Sequence, residues 1–416
     1  MGVIMSEAIN LSENLHPADP QRFADQEILP LFAELRANDP VHYCEDSSYG
    51  PYWSVTRYKD IQEVDTNNDA FSSSAYLGGI TVDDEIVGDA DSEFFLASFI
   101  TMDQPDHGPQ RKSVSGIVKP DSLMNFDKLI RQRAQETLDS VPENEPFDWV
   151  DKVAIELTTQ MLATLFDFPF EDRRKLTRWS DVTTAETDSP ILVDGQTGRI
   201  KELMECLACF KALREERRGG SNFDLLTMLA NDPETTDQSD HELLGTLLLL
   251  IVGGNDTTRN SMSGSINAFH QFPEQLAKLK ANPKLLGSAI SEVIRWQTPL
   301  SHMRRTAHVD YELAGKQIRK GDKVVMWYYA GNRDEEAFEN PNDLDIERKN
   351  VRQHLSFGFG IHRCLGMRLA ELQLKILWEE ILVRWDRVEV LEPPERVRSN
   401  FVNGYSKMMV KVHPKA

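Results

Sequence analysis

The 416-residue sequence contains only 4 cysteines, scattered at positions 44, 206, 209 and 364. Cysteines so few and so widely spaced do not form the disulfide framework that stabilises small secreted domains. Cys206 and Cys209 form a CxxC pair, but their surroundings are typical of a helix. No second CxxC and no spaced histidine pair accompanies them, which argues against a zinc site. We therefore expect reduced thiols and a cytoplasmic protein.

Basic residues and long apolar runs are also scarce. The chain has 46 lysines and arginines against 67 aspartates and glutamates, giving a net charge of -21. A general nucleic-acid binder needs a basic field to neutralise phosphates, so this balance excludes that class. No apolar run approaches the roughly 20 residues that a membrane span needs, and the first residues lack the order of a signal peptide. The balance still allows a local basic patch that docks an acidic protein.

Helical periodicity dominates the chain from residue 107 to about residue 300. It predicts helices near 121–139, 148–166, 171–186, 197–218 and 239–272. Two stretches, 72–101 and 187–198, do not fit a helical pattern. Because long loops in compact domains are usually functional or disordered, we expect both to be mobile covers over a pocket.

Strand-like alternation occurs at 40–44 and 51–56, and again at 304–326 and 407–412. The sequence therefore predicts a single domain that is mainly α with small β-sheets. The expected parts are a β-containing lobe at about 40–70 and 304–326 with the C-terminal hairpin, and a helical lobe at about 107–300 and 356–385, within one domain of residues 1–416.

The longest predicted helix is apolar on every side from residue 243 to residue 252, which places it in the protein's centre. Gly253 and Gly254 follow, each costing about 1 kcal/mol relative to alanine inside a helix. Either the helix kinks or breaks here, or a flat and bulky group lies against the glycines. Gly253, Asp256 and Thr257 are spaced i, i+3 and i+4, so we expect them to share one face. A buried carboxylate beside a hydroxyl would form a proton relay.

The stretch SFGFGIHRCLGMRLAE at 356–371 places Cys364 after a glycine-rich turn and at the start of a long predicted helix. Gly358 and Gly360 allow a tight turn, and Gly366 is expected to permit close approach of a helix. A buried hydrophobic cysteine would leave these glycines unexplained. The N-H groups and dipole of a helix N-terminus favour a thiolate over a thiol. A lone thiolate without zinc partners suits the axial position of a haem iron.

The residues Phe357, Gly360, His362, Cys364 and Gly366 spell FxxGxHxCxG. This pattern resembles the haem-binding loop of the cytochromes P-450 and is highly specific. The resemblance implies the triangular, helix-rich P-450 fold, with haem b between the central helix and the helix that follows the cysteine loop. It also implies that Cys364 is the axial ligand of the haem iron and that the other four residues bind the cofactor.

Further matches follow the family's order along the chain. The stretch GGNDTT at 253–258 is similar to the oxygen-activating helix of the family. The resemblance implies that Asp256, with ordered water, delivers protons and that Thr257 hydrogen-bonds the oxygen under activation. The residues expected to bind the haem propionates are His107 and Arg111 of HGPQR and Arg305 of RRTA.

Glu292 and Arg295 match the ExxR pair of the family, and Arg348 matches the arginine that completes the triad. Taken singly, an i, i+3 pair is usually a surface ion pair worth about 0.2–0.5 kcal/mol. In family order around a cysteine loop, the resemblance implies that these three residues hold the fold and do not touch substrate.

Longer stretches resemble the soluble bacterial P-450 alkane hydroxylases, which oxidise the terminal carbon of medium-chain alkanes and fatty acids. These stretches are 250–264, 294–307, 320–338 and 352–371. Bacterial P-450s that attack sterol side chains or methyl-branched lipids carry similar stretches, so such a lipid is the alternative substrate. By position in the fold, the resemblance implies that the substrate channel is lined by Leu249, Val252, Gly253, Leu300, Ser301, Phe401 and Val402.

The implied reaction inserts one atom of O2 into an unactivated C-H bond of an apolar small molecule. A peroxide-using haem-thiolate enzyme would not need the Asp256-Thr257 pair, and a haem sensor would need a signalling domain. We expect electrons to come from NAD(P)H through a ferredoxin reductase and an iron-sulfur ferredoxin. Basic residues predicted near the thiolate side, to which an acidic ferredoxin could bind, are Lys112, Arg352, Arg363 and Arg368.

Overall fold

The computed structural model describes residues 16–84 and 96–415. Its α-helices are α1 (Pro20–Ala24), α2 (Ile28–Asn38), α3 (Tyr58–Thr66), α4 (His107–Ser115), α5 (Pro120–Ser140), α6 (Glu156–Phe166), α7 (Arg174–Thr184), α8 (Gly195–Arg217), α9 (Leu225–Asn231), α10 (Asp240–Gln271), α11 (Pro273–Ala281), α12 (Leu286–Gln297), α13 (Tyr328–Gly331) and α14 (Met367–Arg384). The five predicted helices correspond to α5, α6, α7, α8 and α10. A π-helical turn, Val150–Ile155, directly precedes α6.

The strands are β1 (Val41–Cys44), β2 (Tyr52–Val55), β3 (Phe71–Ser72), β4 (Pro146–Asp148), β5 (Met303–Ala307), β6 (Tyr311–Leu313), β7 (Lys316–Ile318), β8 (Lys323–Met326), β9 (Trp385–Val390), β10 (Glu395–Arg396), β11 (Tyr405–Lys407) and β12 (Met409–Pro414). The prediction of a mainly α fold with small sheets is confirmed. Among the described residues, no helix combines the length and apolarity needed to cross a bilayer.

The largest sheet has the strand order β1-β2-β8-β5-β3. Strands β2 and β8 are parallel, and the other neighbours are antiparallel. In a second sheet, β12 lies between β4 and β9, where Val410 is paired with both Phe147 and Val390. Val410 and Val412 pack into the same apolar core as the helices from α5 to α12 and α14. The C-terminal strand therefore lies on the helical core, and the division of the chain into two lobes stays a prediction.

Helix α10 packs against α6, α7, α8, α12 and α14. A capping box fixes its start, because Ser239 and Glu242 each accept a hydrogen bond from the other's backbone N-H. The helix then continues through Gly253 and Gly254. A Cβ on Gly254 would lie 2.8 Å from Leu162 Cδ2 of α6, so this glycine allows two helices to approach closely. The helix break considered from the sequence is therefore wrong.

The two predicted covers differ in how they are held. Of the first, 72–101, residues 85–95 lie outside the described part of the chain. Its first half is held by Arg304 of β5, whose N-H donates to Ile80 O (2.7 Å) and whose guanidinium donates to Asp84 Oδ1 (2.6 Å). The second, 187–198, is a series of turns that leads into the first turn of α8.

Candidate functional site

The loop around Cys364 is built from tight turns that precede α14. Gly358 and Gly360 both have φ of +63°, a left-handed conformation that side chains other than glycine rarely adopt. The Cys364 N-H donates to Phe357 O (2.8 Å) and closes the loop. These contacts place the sulfur just ahead of the first turn of the helix.

The thiol of Cys364 keeps accessible surface, but protein atoms crowd around it, and this burial raises its pKa. Hydrogen bonds from the backbone of Gly366 and Met367 and the charge of Arg111 act in the opposite direction. The helix N-terminus therefore favours the thiolate as predicted from the sequence, but in this structure its effect is smaller than that of burial. A coordinated metal ion would deprotonate such a thiol outright.

Four buried nitrogen atoms lie close to this loop without a hydrogen-bond partner in the described part of the chain. They are Nε2 of His107, Nε of Arg305, and both ring nitrogens of His362. The two imidazole rings are 4.5 Å apart, and Arg305 is close enough to lower the pKa of His362. Buried polar atoms are nearly always hydrogen-bonded, so this group calls for a polar partner that the chain does not supply. The carboxylates of haem propionates fit that requirement.

Burial also lowers the pKa of His107 and of His362, so both rings are neutral near pH 7. A neutral imidazole still has one N-H to donate to a carboxylate. Arg111, on the same helix as His107, donates to the backbone oxygen of Arg363 in the cysteine loop. Arg111 therefore ties α4 to the loop.

Gly253 on α10 and Gly366 in the cysteine loop border open space. A Cβ on either residue would meet no other atom of the described chain within 4 Å. The prediction that Gly366 serves close helix packing is therefore wrong; Gly254 has that role instead. The space beside Gly253 on α10, and that beside Gly366 two residues after Cys364, would each leave room for a flat group such as a porphyrin.

Asp256 is completely buried and takes part in an ion-paired network with α7. Its Oδ1 accepts from Arg259 Nη2 (2.8 Å), and its Oδ2 accepts from Thr184 Oγ1 (3.3 Å). Arg259 Nη1 also donates to Asp181 Oδ1 (3.0 Å), whose side chain is 33% exposed. Burial raises the pKa of Asp256, and the charge of Arg259 opposes that shift. The buried Asp256 carboxylate is thus connected through Arg259 to the partly exposed carboxylate of Asp181.

Thr257 lies on a different side of α10 from the Asp256 carboxylate. Its Oγ1 donates to Gly253 O (3.0 Å), and the side chain is half-buried. The prediction that Gly253, Asp256 and Thr257 share one face is therefore wrong for Asp256. The acid and the alcohol are consecutive in sequence but contact separate neighbours.

The structure brings Glu292, Arg295 and Arg348 together in a fully packed interior. Arg295 donates twice to the Glu292 carboxylate (2.7 and 2.8 Å), and Arg348 Nε donates to both of its oxygens (3.1 and 3.2 Å). Arg295 also donates to the backbone oxygens of Asn332 and Pro341. These contacts join α12 to the segment before the cysteine loop.

The residues proposed for the channel wall fall into two groups. Leu300 and Val402 form an isolated β-bridge, and Ser301 N-H donates to Phe401 O (2.8 Å), so these four lie together. The second group is on α10, where partly accessible residues flank the buried Ile251. Its members are Leu249, Val252 and Gly253.

Two buried residues near the site were not identified from the sequence. Asp65, at the end of α3, accepts hydrogen bonds from Arg305 and from Phe359 of the cysteine loop. His302 accepts from Val82 N-H (3.1 Å), and its other ring nitrogen lies 3.0 Å from Asn400 O. Burial lowers the pKa of His302 to about 4. Asp65 belongs to no motif that could have indicated its position, and His302 lies within the stretch 294–307, whose resemblance gave this residue no role.

Comparison with known proteins agrees with this arrangement. The family model described as cytochrome P-450 matches residues 198–412. The chain belongs to the cytochrome P-450 family. Linalool 8-monooxygenase of Pseudomonas putida is 36% identical to it over 95% of this chain and 98% of the relative. Steroid C26-monooxygenase of Rhodococcus jostii (strain RHA1) is 33% identical over 96% and 85% of the two chains.

Among solved structures, cytochrome P-450-153 from Novosphingobium aromaticivorans superimposes with a TM-score of 0.89. It is 44% identical and covers 95% of this chain and 99% of its own. The resemblance to the soluble bacterial P-450 alkane hydroxylases is thereby confirmed. The protein is a cytochrome P-450 monooxygenase, and its family implies the use of haem and O2.

Proposed function

We propose that this P-450 hydroxylates the terminal carbon of medium-chain alkanes or fatty acids, with haem b ligated by Cys364. The observation that carries the proposal of haem binding is the group of four nitrogens beside the cysteine loop that find no hydrogen-bond partner among the described residues. When bound, the haem supplies the redox chemistry of O2 activation, which thiolate ligation favours. His107, His362 and Arg305 would hold its propionates, and Gly253 and Gly366 would leave room for the ring.

The described residues also suggest a route for protons. Asp181 is partly exposed, and Arg259 joins it to the buried Asp256. Because the Arg259 guanidinium keeps its proton, the Asp256 carboxylate would take up a proton from ordered water on this side and pass it, through ordered water, toward Thr257. The Thr257 hydroxyl donates its single proton to Gly253 O, so its lone pairs remain to accept a hydrogen bond from that water. Burial raises the pKa of this carboxylate, which favours its uptake of a proton and its use as a general acid.

Terminal hydroxylation is a demanding reaction, because a terminal C-H bond is stronger than the neighbouring methylene C-H bonds. Each tenfold preference for the chain end requires about 1.4 kcal/mol of discrimination by the pocket. A narrow channel between α10 and the Leu300-Val402 bridge would provide it by admitting only the methyl group.

We expect 1-octanol to be the main product of octane oxidation. Gly253→Ala should change the ratio of 1-octanol to 2-octanol, since its Cβ would enter the open space beside α10. Gas chromatography of the products measures this ratio. Gly287→Ala on α12 is the control for the product ratio, because a Cβ there also meets no atom of the described chain within 4 Å and lies outside the proposed channel. Gly287 lines the groove beside Arg352 and Arg368, so only the product ratio is compared, and total turnover is not. Mostly 2-octanol from the unmodified enzyme would contradict terminal hydroxylation.

The alternative substrate is a sterol side chain or a methyl-branched lipid. It is supported by the activities for which two relatives are named, linalool 8-monooxygenase and steroid C26-monooxygenase. Turnover of a sterol together with no oxidation of octane would favour this alternative.

We further propose that an acidic ferredoxin delivers electrons at the surface around the cysteine loop. The four basic residues predicted for this role are all exposed, and within 16–84 and 96–415 none of them is in an ion pair: Lys112, Arg352, Arg363 and Arg368. Arg352 and Arg368 line a groove of about 570 Å³ between α12 and α14. In a chain of net charge -21, such free cations favour binding of an acidic partner.

Reversing two of these charges, in the double variant Arg352→Glu/Arg368→Glu, should raise the KM for the ferredoxin about tenfold or more. The effect should weaken as salt is added, because exposed charges are screened. Steady-state turnover at varied ferredoxin concentration measures this KM. Peroxide-driven hydroxylation is the internal check that the haem site is intact. Lys201→Glu on α8 is the control, and an equal rise in KM for that variant would rule out a specific docking surface.

A further inference from the structure

Asp65 is a buried carboxylate that joins three separate parts of the fold. It lies in the last turn of α3 and is 1% exposed. Its Oδ1 accepts from Arg305 Nη2 (2.7 Å). Its Oδ2 accepts from the N-H of Phe359 (2.7 Å) and from the hydroxyl of Tyr328 (2.9 Å). No bond of this carboxylate is used to cap its own helix.

The backbone of α3 also packs directly on the cysteine loop. A Cβ on Gly360 would lie 2.6 Å from the backbone oxygen of Asp65, and one on Gly358 would lie 3.3 Å from its carboxylate. Glycine is therefore required at both positions for a second reason besides the positive φ, because no side chain fits between the loop and α3. The position of the loop that carries Cys364 is set by this contact.

Arg305 is held so that only part of its guanidinium remains available. Its Nη1 donates to the backbone oxygen of Arg304 (2.8 Å), and its Nη2 donates to Asp65. Its Nε is buried without a partner among the described residues, as are the two ring nitrogens of the nearby His362. An anion bound at this Nε would share the guanidinium with Asp65. The charge of Asp65 therefore governs how much positive charge Arg305 can offer to that anion.

We propose that Asp65 is a positioning residue that orients Arg305 and the Cys364 loop, and that its negative charge lowers the reduction potential of the haem. This inference rests on the haem ligation proposed above. Reduction adds an electron to the haem, so a nearby buried negative charge disfavours the reduced state. A purely structural carboxylate would stabilise the fold without affecting this equilibrium.

The test uses the holoenzyme with Asp65→Asn, which removes the charge and keeps the size of the side chain. The haem reduction potential should shift to more positive values in a spectroelectrochemical titration. Haem transfer to apomyoglobin should become about tenfold faster, because a hydrogen bond between charged groups is lost. The carbon-monoxide difference spectrum of each variant reports whether a thiolate ligates the haem. An error in the assignment of Cys364 as ligand would therefore appear in the spectrum, separately from any change in reduction potential.

Two further variants separate charge from packing. Asp60→Asn removes another buried carboxylate of α3, one whose Oδ2 has no partner in the described chain, and should leave the potential unchanged. Tyr328→Phe removes a hydrogen-bond donor from Asp65 but keeps its charge, so the potential should shift the opposite way, to more negative values. Tyr328→Phe also provides a test if Asp65→Asn does not yield folded protein. An unchanged potential in Asp65→Asn, or shifts of the same sign in Asp65→Asn and Tyr328→Phe, would overturn the proposal.

Discussion

Replacing Cys364 with histidine should abolish both the thiolate-type carbon-monoxide difference spectrum and O2-dependent hydroxylation. The reason is that a neutral imidazole does not donate electron density to the iron as a thiolate does. The protein should still take up haem, because His107, His362 and Arg305 are unaltered. Absorption spectra of the reduced, carbon-monoxide-treated variant measure the effect. An unchanged thiolate spectrum would show that Cys364 is not the ligand.

The CxxC pair provides the matched control for this experiment. Cys206 is fully buried in α8 and Cys209 is half-buried, and burial raises the pKa of both thiols. Neither is a plausible thiolate at neutral pH. The double variant Cys206→Ser/Cys209→Ser should therefore keep the spectrum of the unmodified protein.

Asp256→Asn should slow O2-dependent hydroxylation by about 10²–10⁴-fold, the usual effect of removing a general acid. It should also reduce stability, because Arg259 loses one of two carboxylate partners in a buried site. The loss should be smaller than the roughly 3–5 kcal/mol for a buried charge left unpaired, since Asp181 remains as a partner. Turnover measured in H2O and in D2O separates the two effects. A larger solvent isotope effect indicates slower proton transfer, whereas partial unfolding would lower the rates in H2O and in D2O by the same factor.

Two neighbouring variants make the assignment specific. Asp181→Asn removes the partly exposed partner of Arg259 and should cause a smaller loss, since the Asp256-Arg259 ion pair remains. Thr257→Ala should keep NADH consumption near normal, but more of the electrons should form hydrogen peroxide and fewer should form the hydroxylated product. The reason is that only the hydroxyl on the other side of α10 is lost. Wild-type coupling in both Asp256→Asn and Thr257→Ala would contradict the proposed relay.

The long helices and the motif residues could be predicted from the sequence because their signals are local. Periodicity over 20 or so residues identified α5, α8 and α10. The same approach missed α3 and α9, which have 9 and 7 residues and offer too few turns for a clear pattern. Helices this short depend on tertiary packing for their stability, and that packing is not visible in the sequence.

The role of Asp65 illustrates what local patterns cannot provide. Its partners Arg305 and Phe359 are 240 and 294 residues away along the chain. The orientation of Asp256 was missed for a different reason. Residues at i+3 and i+4 lie on opposite sides of residue i, about 100° apart around the helix, so one ion pair with Arg259 is enough to turn the carboxylate toward α7.

The pairing of β4 with β12 has a consequence for synthesis of the chain. Met408 N-H donates to Asp148 Oδ1 (3.0 Å) across 260 residues, and β12 supplies the partner for the edge of β4. At about 5–20 residues per second, a ribosome needs roughly 10–50 seconds to make the intervening segment. During that interval β4 and the start of α6 have no sheet to join. The helical core is therefore completed only after translation of the last strand, and a nascent chain that stalls earlier exposes an unpaired strand to other proteins in the cell.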